Sequence, residues 1–261
     1  MSKLPLRDRH VVLTRPEGRG GDWKEALVEA GAAVSELPLL EIKFEPDDAA
    51  LGEVFEGMGE YEWIVFTSAN GVRGFFDRFF ERFTDIRSVG GVRFACLGPA
   101  TEKALRQYHL ESDLTAKQND AVSLGRDLVE KHDVENQKLL VVTGNLNTPE
   151  LPRLLSEGGM AIVDVLKVYA TEEKSVAESP EAAEFRRRGA DVIVFASPSA
   201  VESFLHQAAL LRPDSGARQP KAVAIGATTA DALRKAGIPL AGTAAAPNAK
   251  AIRDAVVAAL A

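Results

Sequence analysis

"IVFTSANGVRGFF" (64–76) and "IVFASPSAVESFL" (193–205) are two versions of one element, set 129 residues apart. Each opens on a continuous apolar run, passes through a short turn of small and hydroxyl side chains, and enters a segment with helical spacing of apolar residues. An apolar run without alternation is how a strand buried on both faces reads, and helices covering a parallel sheet bury both faces. The stretch predicts a strand–turn–helix unit of an α/β domain.

The doubling extends outward. "VVLT" (11–14) matches "LVVT" (140–143), "LVEAGAAVSELPLL" (27–40) matches "LSEGGMAIVDVLKV" (155–168), and "LGPATEKAL" (97–105) matches "IGATTADAL" (225–233). "AVSLGRDLVE" (121–130) has a looser partner in "AKAIRDAVVA" (249–258). Matches in one order predict two copies of an α/β unit of roughly 125 residues, an ordinary domain size. Further strand candidates are "AVSEL" (33–37), "VRFACL" (92–97), "AIVDV" (161–165), "KAVAI" (221–225) and "PLAGTA" (239–244). "LPLLEIKF" (37–44) and "VLKVYATE" (165–172) hold equivalent places and read as extended, with Pro38 as an exit point. The copies could fold one after the other, or the chain could leave one lobe, build the second and return; paired crossings suit the second path.

Composition bounds the partners. The chain carries a net charge of −7, and its basic run, Arg186 to Arg188, falls at an expected helix end where it suits the dipole. That argues against a nucleic-acid face. No apolar run reaches the roughly 18 residues of a membrane span, and "MSKLPLRDRH" lacks the apolar core of a signal peptide. The single cysteine, Cys96, sits in an apolar run and reads as a buried structural thiol, so a cytoplasmic address is expected.

Four turns share a design: "FTSANGV" (66–72), "LGPATEKA" (97–104), "FASPSAV" (195–201) and "IGATTADA" (225–232). Small residues let a ligand approach the backbone, hydroxyls cap the helix or donate, and first-turn N–H groups face an anion. In open parallel sheets ligands sit at the strand C-terminal ends, where these turns lie. A fifth loop, "TRPEGRGGDW" (14–23), offers Arg15 and Arg19 as anion forks, but fits neither the phosphate-loop nor the dinucleotide fingerprint. Its repeat partner, "VTGNLNTPELPRLL" (142–155), offers Asn145 and Asn147.

Other catalytic hardware is missing from the pattern. His10, His109, His132 and His206 have no metal-ligand spacing, with His109 and His206 read as late helical residues, and no nucleophile elbow or Cys pair occurs. No general acid or base carboxylate stands out. Tyr169, in the second crossing, is either packing or a donor: a phenol donates a hydrogen bond well, though ionising near pH ~10 it stores protons poorly.

Together "VVLTRP", "IVFTSANGV", "CLGPATEKAL", "GNLNTPELPRLL", "KVYAT", "VIVFASPSAV" and "AIGATTADALRKAG" resemble the uroporphyrinogen-III synthase family, in order and over nearly the whole chain. The resemblance implies two flavodoxin-like, doubly wound parallel-sheet lobes joined by a two-stranded crossing, one lobe built from both chain ends. The expected bounds are 1–37 plus 172–261 for that lobe, 44–165 for the other, and 38–43 and 166–171 for the crossings. It implies cyclisation of the linear tetrapyrrole hydroxymethylbilane with inversion of the last pyrrole ring and loss of water, using no metal or organic cofactor; the sequence does not give the oligomeric state, and a monomer is the default expectation. Tyr169 matches the tyrosine that assists hydroxyl departure. Ser68, Thr101, Ser197 and Thr229, with Thr228 beside it, match hydroxyl-bearing substrate positions; Ala69, Asn70, Arg15, Gly144, Asn145 and Ser199 complete the expected binding set. Where many members carry an arginine soon after the glycine, this chain reads "GNLN", with Arg153 as a partial substitute. Two other readings compete: a two-lobed, non-catalytic binding or regulatory protein for a polycarboxylate, and a nucleotide-sugar transferase, which lacks a phosphate loop and a base.

Overall fold

The computed structural model describes residues 4–15, 21–116 and 120–261. In chain order the strands are β1 (His10–Leu13), β2 (Ala33–Glu36), β3 (Leu40–Lys43), β4 (Trp63–Phe66), β5 (Arg93–Cys96), β6 (Leu114–Thr115), β7 (Lys138–Gly144), β8 (Ile162–Glu173), β9 (Val192–Phe195), β10 (Lys221–Ala224) and β11 (Leu240–Thr243). The helices are α1 (Gly21–Glu29), α2 (Asp48–Glu56), α3 (Ala69–Arg82), α4 (Pro99–Arg106), α5 (Ala121–Lys131), α6 (Glu150–Arg153), α7 (Pro180–Arg188), α8 (Pro198–His206), α9 (Ala208–Leu211), α10 (Ala227–Lys235) and α11 (Ala249–Leu260). The chain forms two compact units, Met1–Glu41 with Glu172–Ala261, and Ile42–Thr171.

The first unit holds a sheet of order β11-β10-β9-β1-β2. Its neighbours pair in parallel, Val12 opposite Ile193 and Ala222 opposite Ile193. Alternate residues of the apolar runs face opposite layers. Val11, Leu13, Val192 and Val194 pack with Trp23 and Leu27 of α1 and Ile252 and Val256 of α11. Val12, Ile193 and Phe195 pack with Phe185 of α7, Val201 of α8 and Leu233 of α10. This two-sided burial is the physical reason these strands show no polar alternation.

The second unit holds a sheet of order β3-β8-β7-β4-β5-β6. Ile64 and Phe66 face one layer, with Phe55 of α2 and Phe75, Phe76 and Phe79 of α3. Trp63 and Val65 face the other, with Leu124 and Leu128 of α5 and Leu151 of α6. Helix α3 forms because Val72, Phe75, Phe76 and Phe79 recur at helical spacing and Ser68 caps its first turn, accepting from Gly71 N. Burying each of these phenylalanines contributes about 1.5–3 kcal/mol.

Numbered as β1, β2, β9, β10, β11 in the first unit and β7, β8, β4, β5, β6 in the second, both sheets contain the doubly wound order 2-1-3-4-5, to which the second adds β3 outside β8. The first unit therefore takes its first two strands from the N-terminal stretch of the chain and its last three from the C-terminal stretch, and in the second unit the first two strands of this order follow the last three along the chain. The chain passes between units at Glu41–Ile42 and again at Thr171–Glu172. The segments expected as a strand at 161–165 and a separate crossing form one continuous strand, β8, of 12 residues. His109 is not a late helical residue: it lies beyond α4 with φ of 60°.

Candidate functional site

In an open sheet of this order the crevice opens where the connections diverge, between the first and third strands, at their C-terminal ends. In the second unit those ends are β7 and β4. Thr67, just past β4, donates through Oγ1 to Val142 O at 3.2 Å, and Thr143 Oγ1 lies 3.0 Å from the same hydroxyl, so the two strand ends are tied together.

Tyr169 reaches this point from the neighbouring strand. The β7–β8 register runs evenly from Lys138 opposite Ile162 to Thr143 opposite Lys167, then shifts so that Gly144 faces Tyr169. The half-buried ring lies over Gly144, and a Cβ there would overlap it. With glycine as floor, the phenol oxygen sits 3.0 Å from Ser68 Oγ, which donates to it. Ser68 Oγ also accepts from Gly71 N at 2.9 Å, as the N-cap of α3. The chain Gly71 N–H to Ser68 O–H to Tyr169 O polarises the phenol and leaves its own hydrogen to be given elsewhere. Phe44 borders the same place, 6.3 Å from Tyr169 between ring centroids, 41% exposed, and seated against Gly74.

Asn145 follows Gly144. Its backbone N–H donates to Tyr169 O at 3.2 Å, its Nδ2 donates to Thr171 O at 3.2 Å, and its Oδ1 accepts from Thr171 N at 2.8 Å. Asn147 donates its backbone N–H to Gly144 O at 3.4 Å, and Arg153 is exposed on α6.

The turns after β5 and β10 differ from those after β4 and β9. Gly98 and Gly226 head α4 and α10 with no side-chain cap. Gly98 adopts φ 83° and ψ 168°, a conformation open only to glycine. Thr101 is not the cap: it is 3% exposed, and its hydroxyl donates to Leu97 O at 2.9 Å. Ala69 is half-buried and Asn70 buried at the head of α3.

In the first unit the corresponding ends are β1 and β9. Thr14 Oγ1 donates to Val194 O at 3.1 Å and accepts from Ala196 N at 3.2 Å. The Arg15 guanidinium stacks 3.7 Å over the Trp23 ring, with Asp22 at 3.8 Å; burial lowers its pKa, opposed by Asp22. Ser197 caps α8 through Ala200 N at 3.1 Å, and Ser199 is half-buried in its first turn. At α10, Thr228 is exposed and Thr229 is 3% exposed. Arg19 lies outside the described residues.

The sequence thus located the turns. Thr67 and Gly71 lie within the turn 66–72 and Thr143 within the loop 142–155, but none was singled out for a role; Phe44, at the end of the segment 37–44, carried no signal of its own. Among the described residues no cluster of three or more His, Cys, Asp or Glu side chains is arranged to hold a metal ion, and no helix is long and apolar enough to cross a membrane.

The profile of the family "Uroporphyrinogen-III synthase HemD" matches residues 21–254. The porphyrin biosynthesis protein HemD of Ruminiclostridium josui is 28% identical over 89% of this chain, which spans 45% of that protein's length. The uroporphyrinogen-III synthase of Chlorobaculum parvum is 26% identical over 87% of this chain and 89% of its own. In fold, the chain is similar to a mutant uroporphyrinogen III synthase of Thermus thermophilus, with TM-score 0.64, 16% identity and coverage of 97% and 98%. It is also similar to the uroporphyrinogen-III synthetase of Helicobacter pylori, with TM-score 0.63, 19% identity and coverage of 94% and 97%. With the family profile spanning most of both units, the chain belongs to the uroporphyrinogen-III synthase family.

Proposed function

We propose that the chain closes hydroxymethylbilane into uroporphyrinogen III, inverting the last pyrrole ring with loss of water, and that Tyr169 gives the hydrogen bond that helps the hydroxyl leave. The observation that supports the role of Tyr169 is the hydrogen-bonded chain from Gly71 N–H through Ser68 to the phenol oxygen. It consumes an acceptor position of the phenol and spares its hydrogen.

The chemistry asks for little else. The pyrrole nitrogen pushes its electron pair toward the hydroxymethyl carbon, the C–O bond breaks, and the oxygen departs as water after gaining a proton. With loss of the N–H proton this leaves an azafulvene, and attack by the substituted carbon of the terminal ring closes a spiro intermediate; the bond from that carbon to the bridging methylene of the neighbouring ring then breaks, and the bridge rejoins at the terminal ring's free carbon, which gives up its proton. Choosing that carbon over the free one is control by position.

The substrate carries an acetate and a propionate on every ring. Donors proposed for them are Ser197, Ser199, Thr228 and the Arg15 guanidinium in the first unit. In the second unit they are Ala69 and Asn70 at the head of α3 and the uncapped turn at Gly98. Thr101 and Thr229 shape their helix heads from buried positions. Local N–H dipoles and hydroxyls can hold carboxylates on a protein of net charge −7, because the field at a helix head is local. The same reading has the protein acting in the cytoplasm on a free small molecule, without nucleic acid, supported by the lone buried cysteine and the acidic composition, with the monomer as the default state. The test is the isomer formed from hydroxymethylbilane, together with turnover of Tyr169→Phe.

A further inference from the structure

We infer that Asn145 is a positioning residue for Tyr169: its carboxamide prolongs the β7–β8 ladder beyond the end of β7 and holds the phenol over Gly144. The inference rests on the reading of Tyr169 given above.

Strand β7 ends at Gly144, whereas β8 continues to Glu173. Past that point β8 keeps β3 on one side but has no residue of β7 on the other, so its backbone groups on the β7 side need another partner. The shifted pair of Gly144 and Tyr169 stands at this end. Asn145 supplies what the strand no longer does. A carboxamide carries one carbonyl and two N–H donors, so it can pair with an extended residue as a peptide group would. Its Nδ2 donates to Thr171 O at 3.2 Å and its Oδ1 accepts from Thr171 N at 2.8 Å, while its backbone N–H donates to Tyr169 O at 3.2 Å. One residue thereby grips β8 at Tyr169 and again two residues later. Oδ1 and one of the two Nδ2 hydrogens are engaged with Thr171, and the second hydrogen is left for a ligand. The phenol has little latitude, because its ring rests on a residue with no side chain and its oxygen must stay within reach of Ser68.

The test pairs a spectroscopic readout with kinetics. The chain has three tyrosines, so protein labelled with carbon-13 at the tyrosine ring Cζ gives a spectrum of three signals, with that of Tyr169 assigned as the one absent in Tyr169→Phe. In Asn145→Ala, an exposed position where the fold should persist, the Tyr169 signal is expected to move or broaden while those of Tyr61 and Tyr108 hold still. The kcat should fall about tenfold with KM little changed, the order expected for a misplaced catalytic group. Asn145→Ala added to Tyr169→Phe should cost nothing more. An unmoved Tyr169 signal overturns the inference, as does a full tenfold loss on top of Tyr169→Phe. If Tyr169→Phe alone leaves kcat unchanged, the chemical role of the phenol fails, and the Tyr169 signal still decides the role of Asn145.

Discussion

Ser68 Oγ and the Tyr169 oxygen stand 3.0 Å apart, although 101 residues separate them along the chain. The serine caps α3, the tyrosine rides on β8, and β7 runs between their strands. The contact exists because β7 ends in a residue without a side chain.

Tyr169→Phe keeps the ring over Gly144 and removes the donor. Turnover of hydroxymethylbilane should fall about 10²-fold, the lower end of the range for proton donation, with the thermal midpoint nearly unchanged. Single-turnover kinetics check this, since product release then cannot hide the chemical step. Unchanged single-turnover rates would remove the phenol from the mechanism.

Gly144→Ala places a methyl group where the Tyr169 ring lies. Overpacking of this kind costs about 1–3 kcal/mol, and here it also displaces the phenol from Ser68. Denaturant unfolding of Gly144→Ala, Tyr169→Ala and the double variant tests the coupling. The cost of the alanine should largely vanish once the ring is gone, and additive losses would contradict the close approach.

Cys96 is fully buried in β5, and burial pushes its thiol pKa up to about 12. At pH 8 the native protein should leave a thiol-disulfide reagent unreacted, whereas denaturant should release one reactive thiol per chain. Fast labelling of the native protein would show the sheet to be open there.

His10 introduces a pH dependence of stability. It is 4% exposed, with Nδ1 2.9 Å from Gly189 O and Nε2 2.8 Å from Ser35 Oγ. Because a carbonyl only accepts, Nδ1 carries the hydrogen and Nε2 takes the serine's. Burial is the main cause that lowers its pKa below 6.5; the Gly189 carbonyl opposes this, Arg188 adds to the lowering, and Glu184 and Asp191 oppose it. The neutral form is therefore favoured on folding. Its contribution is complete above about pH 6.5 and is lost as pH falls through the folded pKa, with a slope of at most about 1.4 kcal/mol per pH unit. Unfolding free energies between pH 7.5 and 5 should fall more steeply for the natural protein than for His10→Gln. Parallel curves would contradict the assignment.

What could be read from the sequence follows from how each signal arises. The run Trp63–Phe66 announced a strand because both its faces are buried. Strand β8 read as two pieces because only Leu166 and Val168 are buried and exposed or half-buried residues, Asp164 and Lys167 among them, break the apolar run. Helix α2 was not anticipated, although Asp47 caps it and Leu51, Val54 and Phe55 form its stripe. The two residues of β6 are too few for any period. At the strand ends of each unit, the Ser68 turn of one and the Ser197 turn of the other were legible because capping is local chemistry. The commitment of the Thr101 hydroxyl to Leu97, the ring of Tyr169 over Gly144 and the clasp of Asn145 on Thr171 were not, because side-chain direction and strand order set them.

The proposed activity requires that this chain direct ring closure to the inverted product. Purified protein incubated with hydroxymethylbilane, followed by oxidation and separation of the uroporphyrin isomers, tests it most directly. The type III isomer should dominate, above a type I background set by a protein-free control. Type I alone, at the rate of that control, would contradict the account.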